Sequence, residues 1–410
     1  MSNKHIPTYN NLPSREEIIK RITDNWKIKR ETEIIPVDVA MNRIPSADVL
    51  AGVTLPMVRA SGGDGVAVAS SRFLHGIPDT SSWIPGRDFV RADTGDDFDD
   101  AFDAVIMIED VDISKDGKLT IHEGIQVTPG KNVRPTGSTI TAGDPIIKAY
   151  LPLRPKDLAG LQMGGVQKIE VLKKPTVAFI PSGDELIAPG TPVSRGKNID
   201  TNSLLVRETL RQFGAEPWCF PIVRDDDESL EQALTGALKQ SDIVVISGGS
   251  SKGDEDCTAT LLHRRGQVLC HGSQAVPGKP LCAAMVEGKP VINLPGPFIA
   301  AYHGLEWCIN YLVSYYLKQP KQQRQTVKAT LTRELRGSDM VSMLVMVEVT
   351  RKKDGAGFWA TPYSIREIPM WRCIASNAQY MTKLNEYVTR GGEIEVELLR
   401  GLAYIPISDE

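Results

Sequence analysis

A multi-domain α/β protein with a β-rich insertion and a small C-terminal β-barrel is the fold class that the sequence predicts, on three observations. The chain has 410 residues, more than the roughly 250–300 at which a single hydrophobic core stops growing. Between positions 175 and 320, apolar runs of strand length alternate with amphipathic runs of helix length, the pattern of βαβ units and a mostly parallel sheet. On either side, over 52–145 and the last 85 or so residues, the runs are short, β-branched and broken by Gly, Pro and Asp, as in small β-rich modules.

Composition narrows the function classes. With 41% hydrophobic and 24% charged residues the chain buries real cores. A net charge of only -4 gives no support for a nucleic-acid partner, which would need a basic stripe, and none for a polybasic membrane anchor. The cysteines, Cys219, Cys257, Cys270, Cys282, Cys308 and Cys373, form no CxxC pair, which argues against structural zinc and redox motifs. The first 30 residues are polar, and no apolar run reaches the roughly 18 residues of a membrane span. A cytoplasmic location is the expectation.

Taken in order, SREEIIKRITDNW (14–26) places Ile18, Ile19, Ile22 and Trp26 on one face behind Ser14, an amphipathic, capped helix. PVDVA (36–40) reads as a strand. FDAVIMIED and KLTIHEGIQV read as β-type runs of the inserted module. Then PTVAFIPSG is a buried strand, TNSLLVRETLRQFG a helix closed by Gly214, EPWCFPIV a strand, and ESLEQALTGALKQ a helix. SDIVVISGGSS is a strand running into a glycine loop, and EDCTATLLHRRG the next helix. VSMLVMVEVT, GFWATPYSI and GEIEVELL follow with no helix expected among them, a barrel or sandwich pattern.

In parallel sheets ligands sit beyond the carboxyl ends of the strands, so the loops there are the candidates for chemistry. Ser247–Gly248–Gly249–Ser250–Ser251–Lys252–Gly253 and Asp254 to Asp256 follow the strand IVVIS directly. Glycines admit a ligand close to the backbone, and a helix N-terminus favours an anion. The other reading is a tight turn in which an aspartate caps the helix. Ser182–Gly183–Asp184–Glu185 falls on the same edge, with the carboxylates suited to a metal or a ligand hydroxyl, or simply solvated. Asp200 and Asn202 precede a helix, where capping alone accounts for one of them. Pro277–Gly278–Lys279 and Leu294–Pro295 are rigid turns; Lys279 is either a fixed positive charge for a phosphate or an exposed turn lysine. Arg59 to Gly65 has the glycine density of a strained loop that carries Asp64 toward a ligand. The acidic run from Asp93 to Asp110 reads first as a solvated loop and only second as a cation site. Among the six histidines no HxH or HExxH spacing occurs, and neither GxSxG nor a Walker A sequence is present, which disfavours zinc, serine hydrolase and NTPase chemistry.

These loops, in this order, resemble the MoeA/gephyrin family over nearly the whole chain. The resemblance is carried by RASGGDGVAV, RADTG with FDAVIMIED, KNVRPTGSTITAGD, PSGDELIAPG with NIDTN, RDDD, SGGSSKGDED, VPGKP and LPGPF. It implies a linking domain (1–53 and 146–174), an inserted β-rich domain (54–145), a doubly wound, adenylyltransferase-like domain (175–322) and a C-terminal barrel (323–410), assembled as a homodimer. It implies insertion of molybdate into adenylylated molybdopterin with release of AMP, magnesium as the divalent cation, and a molybdopterin adenylyltransferase-type partner. The catalytic residues implied are Asp64, Thr94, Glu185 and Asp256, with Glu185, Asp226 and Asp256 toward metal. The residues from Ser182 to Gly183, Asp200, Asn202, Gly248 to Gly253, Pro277 to Lys279 and Pro295 would hold substrate. Departures fall inside the loops: Val66 for the family tyrosine, Ser138 for an aspartate, Val276 for a lysine, the inserted charge of Lys252, and Pro297–Phe298 for Asn-Pro. They leave open a second expectation, a paralogue that binds a molybdopterin nucleotide, molybdate or a partner protein without insertion.

Overall fold

The structure, a computed structural model, describes residues 12–248, 257–321, 323–364 and 369–408. It divides into two compact units, one of Thr32–Leu172 and one of Met1–Glu31 with Lys173–Glu410.

The larger unit opens with helix α1 (Arg15–Asn25). Its start is fixed as its sequence predicts: the Ser14 side chain accepts from the Glu17 amide while the Glu17 carboxylate accepts from the Ser14 amide, satisfying donors that a helix N-terminus otherwise leaves open. Ile18 and Ile22 are fully buried.

In the smaller unit the stretch predicted as the strand PVDVA is instead the end of a strand, Thr32–Pro36, followed by a 3₁₀ turn, Val37–Val39. The alternation was real, but Val37 turns inward, 2% exposed, to join a core with Leu153, Leu161 and Val171. The helix α2 (Pro155–Met163) closes that core, and the three-stranded sheet of β1 (Gly65–Val68), β2 (Phe89–Ala92) and β3 (Ala104–Met107) forms another, with β1 central. The β-rich run FDAVIMIED contains β3 and then breaks into a 3₁₀ turn at Ile108–Asp110.

The doubly wound part of the larger unit comprises β4 (Thr176–Pro181), α3 (Asn202–Phe213), β5 (Glu216–Cys219), α4 (Asp227–Gln240), β6 (Ile243–Ser247), α5 (Cys257–Arg265), β7 (Gln267–His271), β8 (Cys282–Val286) and β9 (Lys289–Leu294). The sheet order is β5-β4-β6-β9-β8-β7, parallel from β5 to β9, with β8 and β7 antiparallel at one side. Helices cover both faces, so β4 and β6 are buried almost end to end, which is why they read as unbroken apolar runs. Ala178, Ile180, Val244 and Ile246 pack against Leu230, Leu234 and Leu261. Gly214 ends α3 at φ 89°, the left-handed C-cap that glycine supplies.

After β9, helix α6 (Phe298–Gly304), one π turn (Leu305–Ile309) and α7 (Asn310–Tyr316) form a continuous helical stretch. Arg30 closes its end by donating to the carbonyls of Tyr316 and Tyr315 at 2.6 and 2.9 Å. The C-terminal strands are β10 (Thr326–Leu331), β11 (Ser342–Arg351), β12 (Phe358–Tyr363), β13 (Ala378–Met381) and β14 (Glu393–Leu398). Pairing runs β11-β12-β10-β14-β13 and returns to β11, a closed five-stranded barrel. One expectation fails here: a short helix, α8 (Met370–Ala375), stands between β12 and β13, because Cys373 packs with Leu344 and Met346 of β11 beside Ile299.

Candidate functional site

The carboxyl ends of β4, β5, β6 and β9 lie on one sheet edge, and backbone hydrogen bonds knit the loops that follow them. The Ser182 amide donates to the Ser247 carbonyl at 2.8 Å, Gly183 to Val223 at 3.2 Å, and Gly248 to Leu294 at 3.3 Å. Asn202, at the start of α3, donates to Ser247 Oγ at 3.1 Å and to the Gly296 carbonyl at 2.8 Å. Thus Ser182, Gly183, Asn202, Gly248 and the Pro295–Gly296 turn are brought together as expected of a common edge. Gly248 is required: at φ 129° a side chain is disfavoured, and a Cβ there would stand 1.9 Å from the Ser182 carbonyl oxygen.

Carboxylates gather at this edge. Asp225, in the loop after β5, is pushed above the ordinary carboxyl range by burial, then by the charges of Asp184 and Glu185. The Ser182 side chain acts on the Asp225 carboxyl in the opposite, lowering sense, and among the described residues Asp225 Oδ1 is buried with no hydrogen-bond partner. Glu185 folds back over Gly183, where a Cβ would meet both carboxylate oxygens at 2.7 Å. Asp226 is differently employed. Its side chain caps α4, accepting from the Ser229 amide at 2.8 Å and hydroxyl at 3.1 Å, and these bonds hold it below the ordinary range. Asp200 likewise caps α3 through the Ser203 amide and hydroxyl. Its partner in the motif, Asn202, retains a buried Oδ1 with no partner among the described residues.

The Pro277–Lys279 turn reaches the same edge because β8 runs antiparallel, placing Cys282 opposite Asn293 near the end of β9. The turn is pinned from several sides. Ser273 donates through its amide to the Lys279 carbonyl at 2.8 Å and through its hydroxyl to the Gly278 carbonyl at 3.1 Å. His303 of α6 lies 2.7 Å from the Pro277 carbonyl through Nδ1. Ala275 and Val276 pair with Ser342 and Met343 of the barrel strand β11. Backbone geometry therefore fixes where Lys279 is presented. The neighbouring departures are accommodated by packing: Pro297 precedes the first turn of α6, and Phe298 joins a cluster with Leu344 and Met346 of β11.

In the smaller unit, Thr94 donates to Asp64 Oδ1 through its amide at 2.7 Å and its hydroxyl at 2.8 Å. These bonds hold the Asp64 carboxyl below its ordinary range. The glycines around it have a different cause from the one expected. Gly62, Gly63 and Gly65 are not left-handed; a Cβ on Gly65 would meet the Ile106 carbonyl at 2.0 Å and one on Gly62 the Asn132 carbonyl at 2.8 Å. Close strand packing demands them, and Val66 is fully buried in the same core. The acidic run supplies local turn bonds, Asp96 to the Asp93 amide and Asp99 to the Ala101 amide. Gly249, Ser250, Ser251, Lys252, Gly253 and Asp256 lie outside the described residues.

Two residues escaped the sequence reading. His303 carried no spacing signal, yet it is 2% exposed and braces the Lys279 turn. Asn293, fully buried at the end of β9 and with neither amide atom partnered among the described residues, had one: it is the polar member of the apolar run VINL.

Residues 13–165 match the family model "MoeA N-terminal region (domain I and II)", and residues 178–314 match "Probable molybdopterin binding domain". The chain is 30% identical over 283 residues, 66% of its length and 69% of the relative's, to a molybdopterin molybdenumtransferase of Haemophilus influenzae. It is 26% identical to that of Staphylococcus epidermidis, over 83% of this chain and 85% of that one. A solved structure of a molybdopterin biosynthesis MoeA protein from Pyrococcus horikoshii aligns with TM-score 0.78 and 25% identity, covering 95% of this chain and 100% of that chain. Among the described residues, no helix is long and apolar enough to cross a membrane.

Proposed function

The chain belongs to the MoeA family of molybdopterin molybdenumtransferases, and from that membership we propose that it inserts molybdenum during molybdenum cofactor biosynthesis. It takes adenylylated molybdopterin and molybdate as substrates and releases AMP. The observation that carries the reading is the sheet edge itself, where Asp225, held beside Asp184 and Glu185, stands next to the Ser182–Gly183 turn and the backbone of Gly248.

Phosphate recognition falls to the Ser182–Gly183 turn, to Gly248 and to Lys279. Asn202 Oδ1, buried and unpartnered, accepts a hydrogen bond from a ligand hydroxyl or amine. Magnesium fits this donor set: a carboxylate with an orphaned buried oxygen, repelled by two neighbouring carboxylates, is an arrangement that a divalent cation relieves. Among the described residues no three His, Cys, Asp or Glu converge as a preformed metal cluster, which suits an ion that keeps its waters and shares substrate phosphates. Asp225 and Glu185 would hold it, in place of the Asp226 that the motif suggested, and an ion there would supply charge neutralisation for the departing phosphate. Asp64, kept ionised by Thr94, is the catalytic candidate of the smaller unit. A cytoplasmic homodimer and an adenylyltransferase-type protein that supplies the substrate complete the proposal.

A second reading, binding without insertion, is favoured by one observation: Val276, where the family pattern has a lysine, pairs with the barrel strand β11 and adds no charge beside Lys279. The two readings separate on AMP release by Asp225→Asn and Asp226→Asn. Insertion predicts a loss of at least 100-fold for the first and at most a few-fold for the second, on the scale of removing one charged contact from a transition state. Equal losses would remove the distinction between the two aspartates, and a wild type that binds without releasing AMP would establish the second reading.

A further inference from the structure

A cavity of about 1070 Å³, open on one side, is lined by α1, the end of α3, the helical stretch α6–α7 and the barrel strands β11, β13 and β14. Drug-sized ligands occupy pockets of roughly 300–1,000 Å³, so a small molecule fits with solvent to spare. Its wall has three chemically distinct parts. Arg15, Lys321 and Arg400 supply cationic side chains, and the Arg15 charge is shared with the carboxylates of Glu16 and Glu397. Arg324 also lines it, but its charge is met by Glu306 at 2.7 Å. Phe213, Trp307 and Tyr311 supply ring surface. The third part is His303.

His303 is 2% exposed, and its Nδ1 faces the Pro277 carbonyl at 2.7 Å. A carbonyl only accepts, so Nδ1 carries the proton and Nε2 is a bare acceptor. Nε2 is buried and unpartnered on a residue that lines the cavity. A buried acceptor left unmet is destabilising, and a hydroxyl donor meets it. Glu397 and Glu16 also line the cavity. Glu397 accepts from Gln379 Nε2 at 2.9 Å.

We propose that this cavity is a ligand site for a nucleoside phosphate: Arg15, Lys321 and Arg400 meet the phosphate, the aromatic side chains face the base, and a sugar hydroxyl donates to His303 Nε2. The cavity adjoins the proposed insertion edge through His303, which holds the Pro277 carbonyl, but its cations and rings are not those of that edge, and the proposal does not rest on that reading.

AMP is a usable probe, titrated calorimetrically into the full-length protein, with inorganic phosphate as the comparison. The expected result is saturable AMP binding that Arg15→Gln and Arg400→Gln each weaken at least fivefold and that His303→Asn weakens similarly. Arg15 and Arg400 are partly or fully exposed, so their variants fold and keep the test decisive if His303→Asn does not. Binding that survives both arginine variants and is lost with Glu185→Gln would place the nucleotide at the sheet edge and overturn the proposal. Inorganic phosphate binding as tightly as AMP would also overturn it, since the aromatic wall would then contribute nothing.

Discussion

Thr94 meets one carboxylate oxygen of Asp64 twice, through its amide at 2.7 Å and its hydroxyl at 2.8 Å. Two donors on one oxygen favour the ionised form, and the carboxyl is held below its ordinary range for that reason. Replacing Thr94 by Val removes the hydroxyl donor and keeps the amide. The Asp64 pKa then rises toward that of a free aspartate, read by carbon-detected NMR titration, and AMP release falls several-fold. An unchanged Asp64 pKa would contradict the assignment.

Asp225 gives a prediction of opposite sign for stability and activity. Its folded pKa is raised by burial and by Asp184 and Glu185, so the folded state binds this proton more tightly than the unfolded one. The contribution is present at low pH and lost as pH rises through the raised value. Asp225→Asn removes that loss, and the melting temperature at pH 7 rises by roughly 1–3 °C while AMP release collapses. Thermal melts at pH 5 and pH 7 check it: the gain is larger at pH 7.

His303 behaves in the reverse sense. Burial lowers its pKa from 6.5 to about 4, so the unfolded chain takes up the proton first. Above about pH 6.5 the ring is neutral in both folded and unfolded chains and adds no pH dependence, and stability is lost as pH falls toward 4. The loss attributable to this group is about 2–3 kcal/mol. Urea melts across that range show it, and His303→Asn flattens the slope between pH 6.5 and 4.

How much of this was legible in the sequence depends on how local each cause is. The Ser14–Glu17 capping box, the Gly214 terminus of α3 and the buried strands β4 and β6 were readable because neighbours a few residues apart determine them. Asp225 and Asp226 were not separable: adjacent and chemically identical, they differ only in that one meets Ser229 and the other faces Asp184 and Glu185. The PVDVA run failed because an alternating pattern does not reveal that Val37 turns into a core built from residues more than a hundred positions away. The glycines near Asp64 announced a constraint without its origin, which lies in the Ile106 and Asn132 carbonyls.

Asn202 joins the start of α3 to β6 and to the turn after β9 through Ser247 Oγ and the Gly296 carbonyl. Asn202→Ala breaks both bonds and leaves the carbonyl unmet, at a cost of about 1–3 kcal/mol. Since the same residue offers its open Oδ1 to substrate, KM for adenylylated molybdopterin rises more than kcat falls. A variant that loses stability with an unchanged KM would confine Asn202 to a structural role.

The most direct test of the whole account is the single-turnover rate of AMP release from bound adenylylated molybdopterin, measured with and without molybdate at saturating magnesium. The account predicts slow release alone and a rate at least tenfold higher with molybdate, one AMP appearing for each molybdenum taken up. Release at the same rate in both conditions, or none in either, would contradict it.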